Sequence, residues 1–110
     1  MSAIPPNEAL KDLAALLGDE ATREIVQLFL EDFPDSIRGL PARGRSDQLR
    51  IAHGLRSSAR HMGAERLTMR MGAIEDRLSQ PGGPVTPEEL AGAMADFDAF
   101  ASDLRRYAAG

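Results

Sequence analysis

Ala52-His53-Gly54-Leu55-Arg56-Ser57-Ser58-Ala59-Arg60-His61-Met62-Gly63-Ala64 sets one of the chain's two histidines on display among small and basic residues. Leu49, Ala52, Leu55, Ala59 and Met62 recur at intervals of three and four, so at about 100° per residue they line one side of an α-helix. Measured from the middle of that stripe, His53 projects roughly 120° away, on the outer half of the helix with Arg50, Ser57, Arg60 and His61. Arg56 falls at the stripe's margin, where its stem can lie over apolar surface while the guanidinium reaches outward near His53. Gly54 costs a helix interior about 1 kcal/mol relative to Ala. With Ser57 and Ser58 it leaves room for another protein to approach the ring.

The same helical spacing recurs on both sides of this stretch, and no alternating run of strand length interrupts it, so the class is all-α. A short lid helix is predicted from about residue 7 to 17, capped by Asn7, striped by Leu10, Leu13, Leu16 and Leu17 and stopped by Gly18. A second helix, about 19–42, starts with Asp19 as its cap. It carries Ile25, Val26, Leu28, Phe29, Leu30, Phe33, Ile37 and Leu40, and the apolar spacing continues past Pro34, which predicts a kink rather than an end. Ser46 is the expected cap of the histidine helix, about 46–62, and Gly63 permits a tight stop. A helix at about 64–79 follows, with Leu67, Met71, Ile74 and Leu78 inward. Gln80-Pro81-Gly82-Gly83-Pro84 is a loop. Thr86-Pro87-Glu88-Glu89 then opens the last helix, about 87–107, with a Thr cap, Pro in first position and Glu three residues after the cap. Its inner stripe is Leu90, Met94, Phe97, Ala101 and Leu104. Four long amphipathic helices on short links predict an antiparallel four-helix bundle with a short additional N-terminal helix.

One hundred and ten residues fit one domain, residues 1–110, around one core. The absence of cysteine excludes a disulfide framework and thiolate metal sites, and it fits a reducing cytoplasm. No segment approaches the ~20 apolar residues of a membrane helix, and the first residues carry no basic leader. The expectation is therefore a soluble cytoplasmic protein without membrane association. A net charge of −4 argues against nucleic-acid binding, which needs a basic face. Between Arg38 and Arg70, however, eight arginines face only Asp47 and Glu65. An acidic partner surface complements that region.

An exposed imidazole near neutral pH offers an unprotonated nitrogen that can attack phosphorus and carry a phosphoryl group. Arg56 and Arg60 are placed to offset the added negative charge. The residues alone leave open an ordinary surface histidine on a solvated helix. His61 lies eight residues from His53, too far for the i, i+4 pair that binds zinc, so no metal site is expected. A Ser57–His53 nucleophile pair would lie on an open helix face without an oxyanion hole. Met62, Met69, Met71 and Met94 read as core filler rather than a ligand box.

His53-Gly54-Leu55-Arg56-Ser57-Ser58-Ala59, preceded by Ala52 and followed by Met62-Gly63-Ala64, resembles the signature of histidine-containing phosphotransfer (HPt) domains. The similarity extends to Phe29-Leu30 and Pro34 before it and to Ile74-Glu75 after it. The resemblance implies a phosphocarrier, not a turnover enzyme, in which His53 accepts a phosphoryl group from a receiver-domain aspartate and passes it to another receiver. The implied partners are receiver domains of response regulators and hybrid histidine kinases. The chain itself would need no cofactor, since magnesium belongs to the receiver, and it would act as a monomer. Arg50, Gly54, Arg56, Ser57 and Arg60 would support the phosphate or the partner, and Glu75 is the candidate for orienting the ring, with a plain surface glutamate as the alternative. Two positions depart from the pattern: Arg56 stands where the family usually has Lys, and Ser57 where it usually has Gly. The competing reading is an interaction module that docks receiver domains as scaffold or inhibitor without carrying phosphate.

Overall fold

The computed structural model describes residues 4–110. Its described residues form five α-helices and no strand: α1 (Glu8–Leu17), α2 (Asp19–Gly39), α3 (Arg45–His61), α4 (Glu65–Leu78) and α5 (Pro87–Ala108). A 3-10 turn, Leu40–Ala42, closes α2. Around the core, α3 packs chiefly on α4, α4 on α5 and α5 on α2, while α1 lies on α2. The α2–α3 contact is much thinner. None of the described helices is long and apolar enough to cross a membrane.

The core is the sum of the inward stripes. Val26, Phe29, Phe33, Ile37, Ala52, Leu55, Ala59, Leu67, Met71, Ile74, Phe97, Ala101 and Leu104 are all buried. Phe29, Phe33 and Phe97 form a ring cluster with centroids 5.0 to 5.8 Å apart, the Phe33 and Phe97 rings stacked. Such pairs contribute about 0.5–1.5 kcal/mol beyond the area they bury, so they pin α2 to α5. At its far end α5 is tied to α2 again, where Tyr107 donates from its hydroxyl to Asp19 at 3.1 Å.

Helix ends show where local chemistry prevails. Thr86 and Glu89 form the reciprocal capping box of α5. Arg77 grips the same Glu89 with two hydrogen bonds of 2.6 Å, fastening the end of α4 to the start of α5. Gly63 (φ 76°) ends α3 in a Schellman motif, with Ala64 N–H donating to Ala59 and Gly63 N–H to Arg60, both at 3.0 Å. Asn7 caps α1 through Leu10 N–H and also donates from Nδ2 to the Met62 carbonyl at 2.9 Å. A Cβ at Gly63 would come within 2.6 Å of that Asn7 amide. Glycine is therefore required there both by its backbone angle and by the docked lid.

Several expectations need correction. The residue preceding α2 is Gly18, not Asp19, whose carboxylate receives Tyr107 instead. The N-cap of α3 is Gly44, and Ser46 lies inside the helix. Leu16 and Leu17 leave the predicted stripe of α1 and are exposed. Leu16 is six residues beyond buried Leu10 and so lies about 120° round the helix, while Leu17 occupies the last helical position. Leu28 is likewise exposed, and so is Met69, which therefore is not core filler. Pro34 does not end α2, although it removes one main-chain donor from the helix.

Gln48 is a buried polar hub. Its Nε2 donates to the carbonyls of Leu40 and Arg43 at 3.2 and 3.1 Å, and its Oε1 accepts from Val85 N–H at 2.9 Å. One amide thus satisfies main-chain groups in two separate connections, holding both against the base of the histidine helix.

Candidate functional site

His53 sits mid-way along α3 with 70% of its side chain exposed. Its ring leans toward α4, where Nδ1 lies 2.5 Å from Oε2 of Glu75. The second oxygen of the same carboxylate accepts from Nη1 of Arg56 at 2.9 Å. One carboxylate therefore bridges two side chains of α3. That geometry follows from helical spacing: Arg56 is three residues after His53, on the flank facing α4, so both can converge on one residue of the neighbouring helix.

The Glu75 side chain is only 16% exposed, which by itself would raise its pKa. The Arg56 hydrogen bond is the largest influence and acts against burial, and the His53 hydrogen bond and the charge of Arg56 act with it. The net effect holds the carboxyl below its ordinary value. Glu75 is thus an anion near neutral pH and can only accept. Nδ1 must therefore supply the hydrogen, which leaves the lone pair of the neutral ring on Nε2, the nitrogen not engaged by Glu75.

The remaining candidates lie on the outer half of α3. Gly54 opens onto empty space, since a Cβ there would meet nothing within 4 Å. Ser57 and Arg60 are exposed, and Arg60 makes no ion pair among the described residues. Arg50 is held by Asp47 at 3.4 Å rather than by the site. The arginine-rich region is not one patch: Arg70 and Arg66 turn to Asp96 on α5, at 2.8 and 3.9 Å, and Arg38 pairs with Asp35. Beside α3, the thin contact with α2 leaves a groove of about 370 Å³ lined by Leu28, Phe29, Asp32, Leu55, Ser58 and His61. Among the described residues no group of three metal-ligating side chains comes together.

A family model described as Hpt domain matches residues 24–109. The chain belongs to the Hpt family. No curated protein and no solved structure matches it. Hpt domains are histidine phosphotransfer modules of phosphorelays, phosphocarriers rather than enzymes in general, and they work with receiver domains. In this Hpt chain the matched span holds all of α3, α4 and α5, with both partners of the Glu75 bridge.

Gly72 was missed by sequence reasoning. It is buried on α4 beneath the Arg56 side chain. The available signal was a glycine three residues before Glu75 within an uninterrupted helical pattern. Which α3 side chain crosses it depends on the α3–α4 packing, which spacing within one helix does not supply.

Proposed function

We propose that this chain is a phosphocarrier of a multistep phosphorelay and that His53 is its phosphoacceptor. The observation that carries the proposal is the pairing of an exposed ring with a carboxylate bound at Nδ1, which leaves Nε2 free to react. Nε2 attacks the phosphorus of a receiver's aspartyl phosphate. The N–P bond forms as the P–O bond breaks, and the aspartate leaves as carboxylate with the bonding electrons. The Nδ1 proton stays on the ring, which becomes cationic, and Glu75 balances that charge. Arg56 keeps Glu75 ionised. Transfer to a second receiver runs the same steps in reverse.

Arg50, Gly54, Ser57 and Arg60 form the proposed docking face, with Ser57 and Arg60 the side chains free to meet the phosphoryl oxygens. The apolar α2–α3 groove borders this face and supports its extension onto the receiver. The chain supplies no metal in this scheme; the divalent cation belongs to the receiver's acidic site. Short links and the packing of α3 on α4, α4 on α5 and α5 on α2 support an antiparallel bundle, which we propose folds as one domain and acts as a cytoplasmic monomer.

The test is label transfer from a phosphorylated receiver. Wild type should gain acid-labile, base-stable label, and His53→Gln should gain none. Equal labelling of the variant would move the site elsewhere. No label on wild type across a panel of receivers would leave the docking-only module as the surviving reading.

A further inference from the structure

Resting on the phosphocarrier reading, we infer that Gly72 is a positioning residue for His53, acting through Arg56 and Glu75. Gly72 precedes Glu75 by three residues on α4, so the two lie on adjoining turns of one face. A Cβ at Gly72 would stand 3.2 Å from Nε, 3.4 Å from Cζ and 3.6 Å from Cδ of Arg56. The guanidinium therefore crosses α4 where the helix has no side chain. Nε of Arg56 is buried there without a hydrogen-bond partner. The contact does not satisfy Nε; it delivers Nη1 to Glu75 at 2.9 Å. Glu75 in turn holds Nδ1 of His53.

The contrast with Gly54 separates two uses of glycine. A Cβ at Gly54 meets nothing, so within the chain that position is open, whereas Gly72 is filled by Arg56. Helix propensity favours Ala over Gly at an interior position such as 72. The demand for glycine comes from the rigid plane of the guanidinium, whose Nε and Cζ pass closest to position 72 while Nη1 is held by Glu75. A lysine carries Cε and Nζ where Arg56 has Nε and Cζ, but these turn freely about single bonds, so its chain can give the few tenths of an ångström that a methyl group requires. Arg56 in place of the family's usual Lys and Gly72 on α4 are thus one arrangement: the glycine lets an arginine reach the carboxylate that orients the phosphoacceptor.

The experiment compares wild type, Gly72→Ala, Gly72→Val, Arg56→Lys and Gly72→Ala/Arg56→Lys in the full chain. Imidazole nitrogen NMR reads the His53 tautomer without any receiver, single-turnover transfer reads function, and thermal unfolding reads the fold. Gly72→Ala should unfold no earlier than wild type, yet mix the two tautomers and slow transfer about threefold; Gly72→Val should slow it on the order of tenfold. With Lys at 56, adding Gly72→Ala should change neither tautomer nor rate. An unchanged tautomer in both Gly72 variants, or the same loss with Arg or Lys at 56, would overturn the inference. If wild type takes no phosphoryl group at all, the carrier reading fails while the tautomer comparison still decides the positioning role.

Discussion

Replacing Glu75 by Gln isolates the charge of the carboxylate while preserving its size. In the proposed transfer the ring of His53 goes from neutral to cationic, and the charge remains in the phosphohistidine. Two unit charges about 4 Å apart interact by about 4 kcal/mol at an effective dielectric of 20 and about 1 kcal/mol in water. His53 is mostly exposed and Glu75 mostly covered, at 70% and 16% side-chain exposure, so the value lies between these limits. Arg56, bound to the same carboxylate, lowers it further. A loss of about 1–2 kcal/mol is expected, which at 1.36 kcal/mol per tenfold is a rate about 5- to 30-fold slower. The assay is rapid-quench transfer from a phosphorylated receiver to wild type and Glu75→Gln, followed in both directions. Because the charge persists in the product, the equilibrium should move toward the receiver by a similar factor. A forward rate within twofold of wild type, with an unchanged equilibrium, would refute an electrostatic role for Glu75.

Ser57→Gly removes the hydroxymethyl group one turn from His53; transfer between receivers should speed up by a few fold in kinetic assays, while stability drops by up to about 0.5 kcal/mol from helix propensity. Gln48→Ala should destabilise the chain by about 1–3 kcal/mol in urea titrations, because the buried Val85 N–H loses its acceptor. Glu75 and Glu89 both have folded-state pKa values lowered chiefly by arginine hydrogen bonds. The stability they contribute is therefore fully present above the ordinary carboxyl value and is lost as pH falls through the lowered values. Urea unfolding at a series of acidic pH values should show that loss, and a double variant, Glu75→Gln with Glu89→Gln, should flatten it.

The legible parts of this molecule are those governed by neighbours along the chain. The period of Leu49, Ala52, Leu55, Ala59 and Met62 places His53 on the outer side of a helix because rotation per residue is a local property. Thr86, Pro87 and Glu89 announce a helix start because all three act within one turn. Family membership was likewise legible around His53, where the motif is contiguous. Local signals also misled. Asp19 and Ser46 have the chemistry of caps, yet glycines precede both helices, and Asp19 meets Tyr107 from the opposite end of the chain.

What the sequence by itself determined is an all-helical chain with an exposed histidine among small and basic residues. Only tertiary structure decided which nitrogen of that histidine is left free, because the carboxylate that engages the other comes from a different helix. It also divided the arginines: Arg56 is committed to Glu75, Arg66 and Arg70 to Asp96, while Arg60 has no ion pair among the described residues. The physical reason is the same in each case. Helical rotation assigns a side chain to a face, but the charge or cleft that the face meets depends on how two helices lie against one another. At Gly72 even a missing side chain takes its meaning from that contact, since the space it leaves is occupied by Arg56.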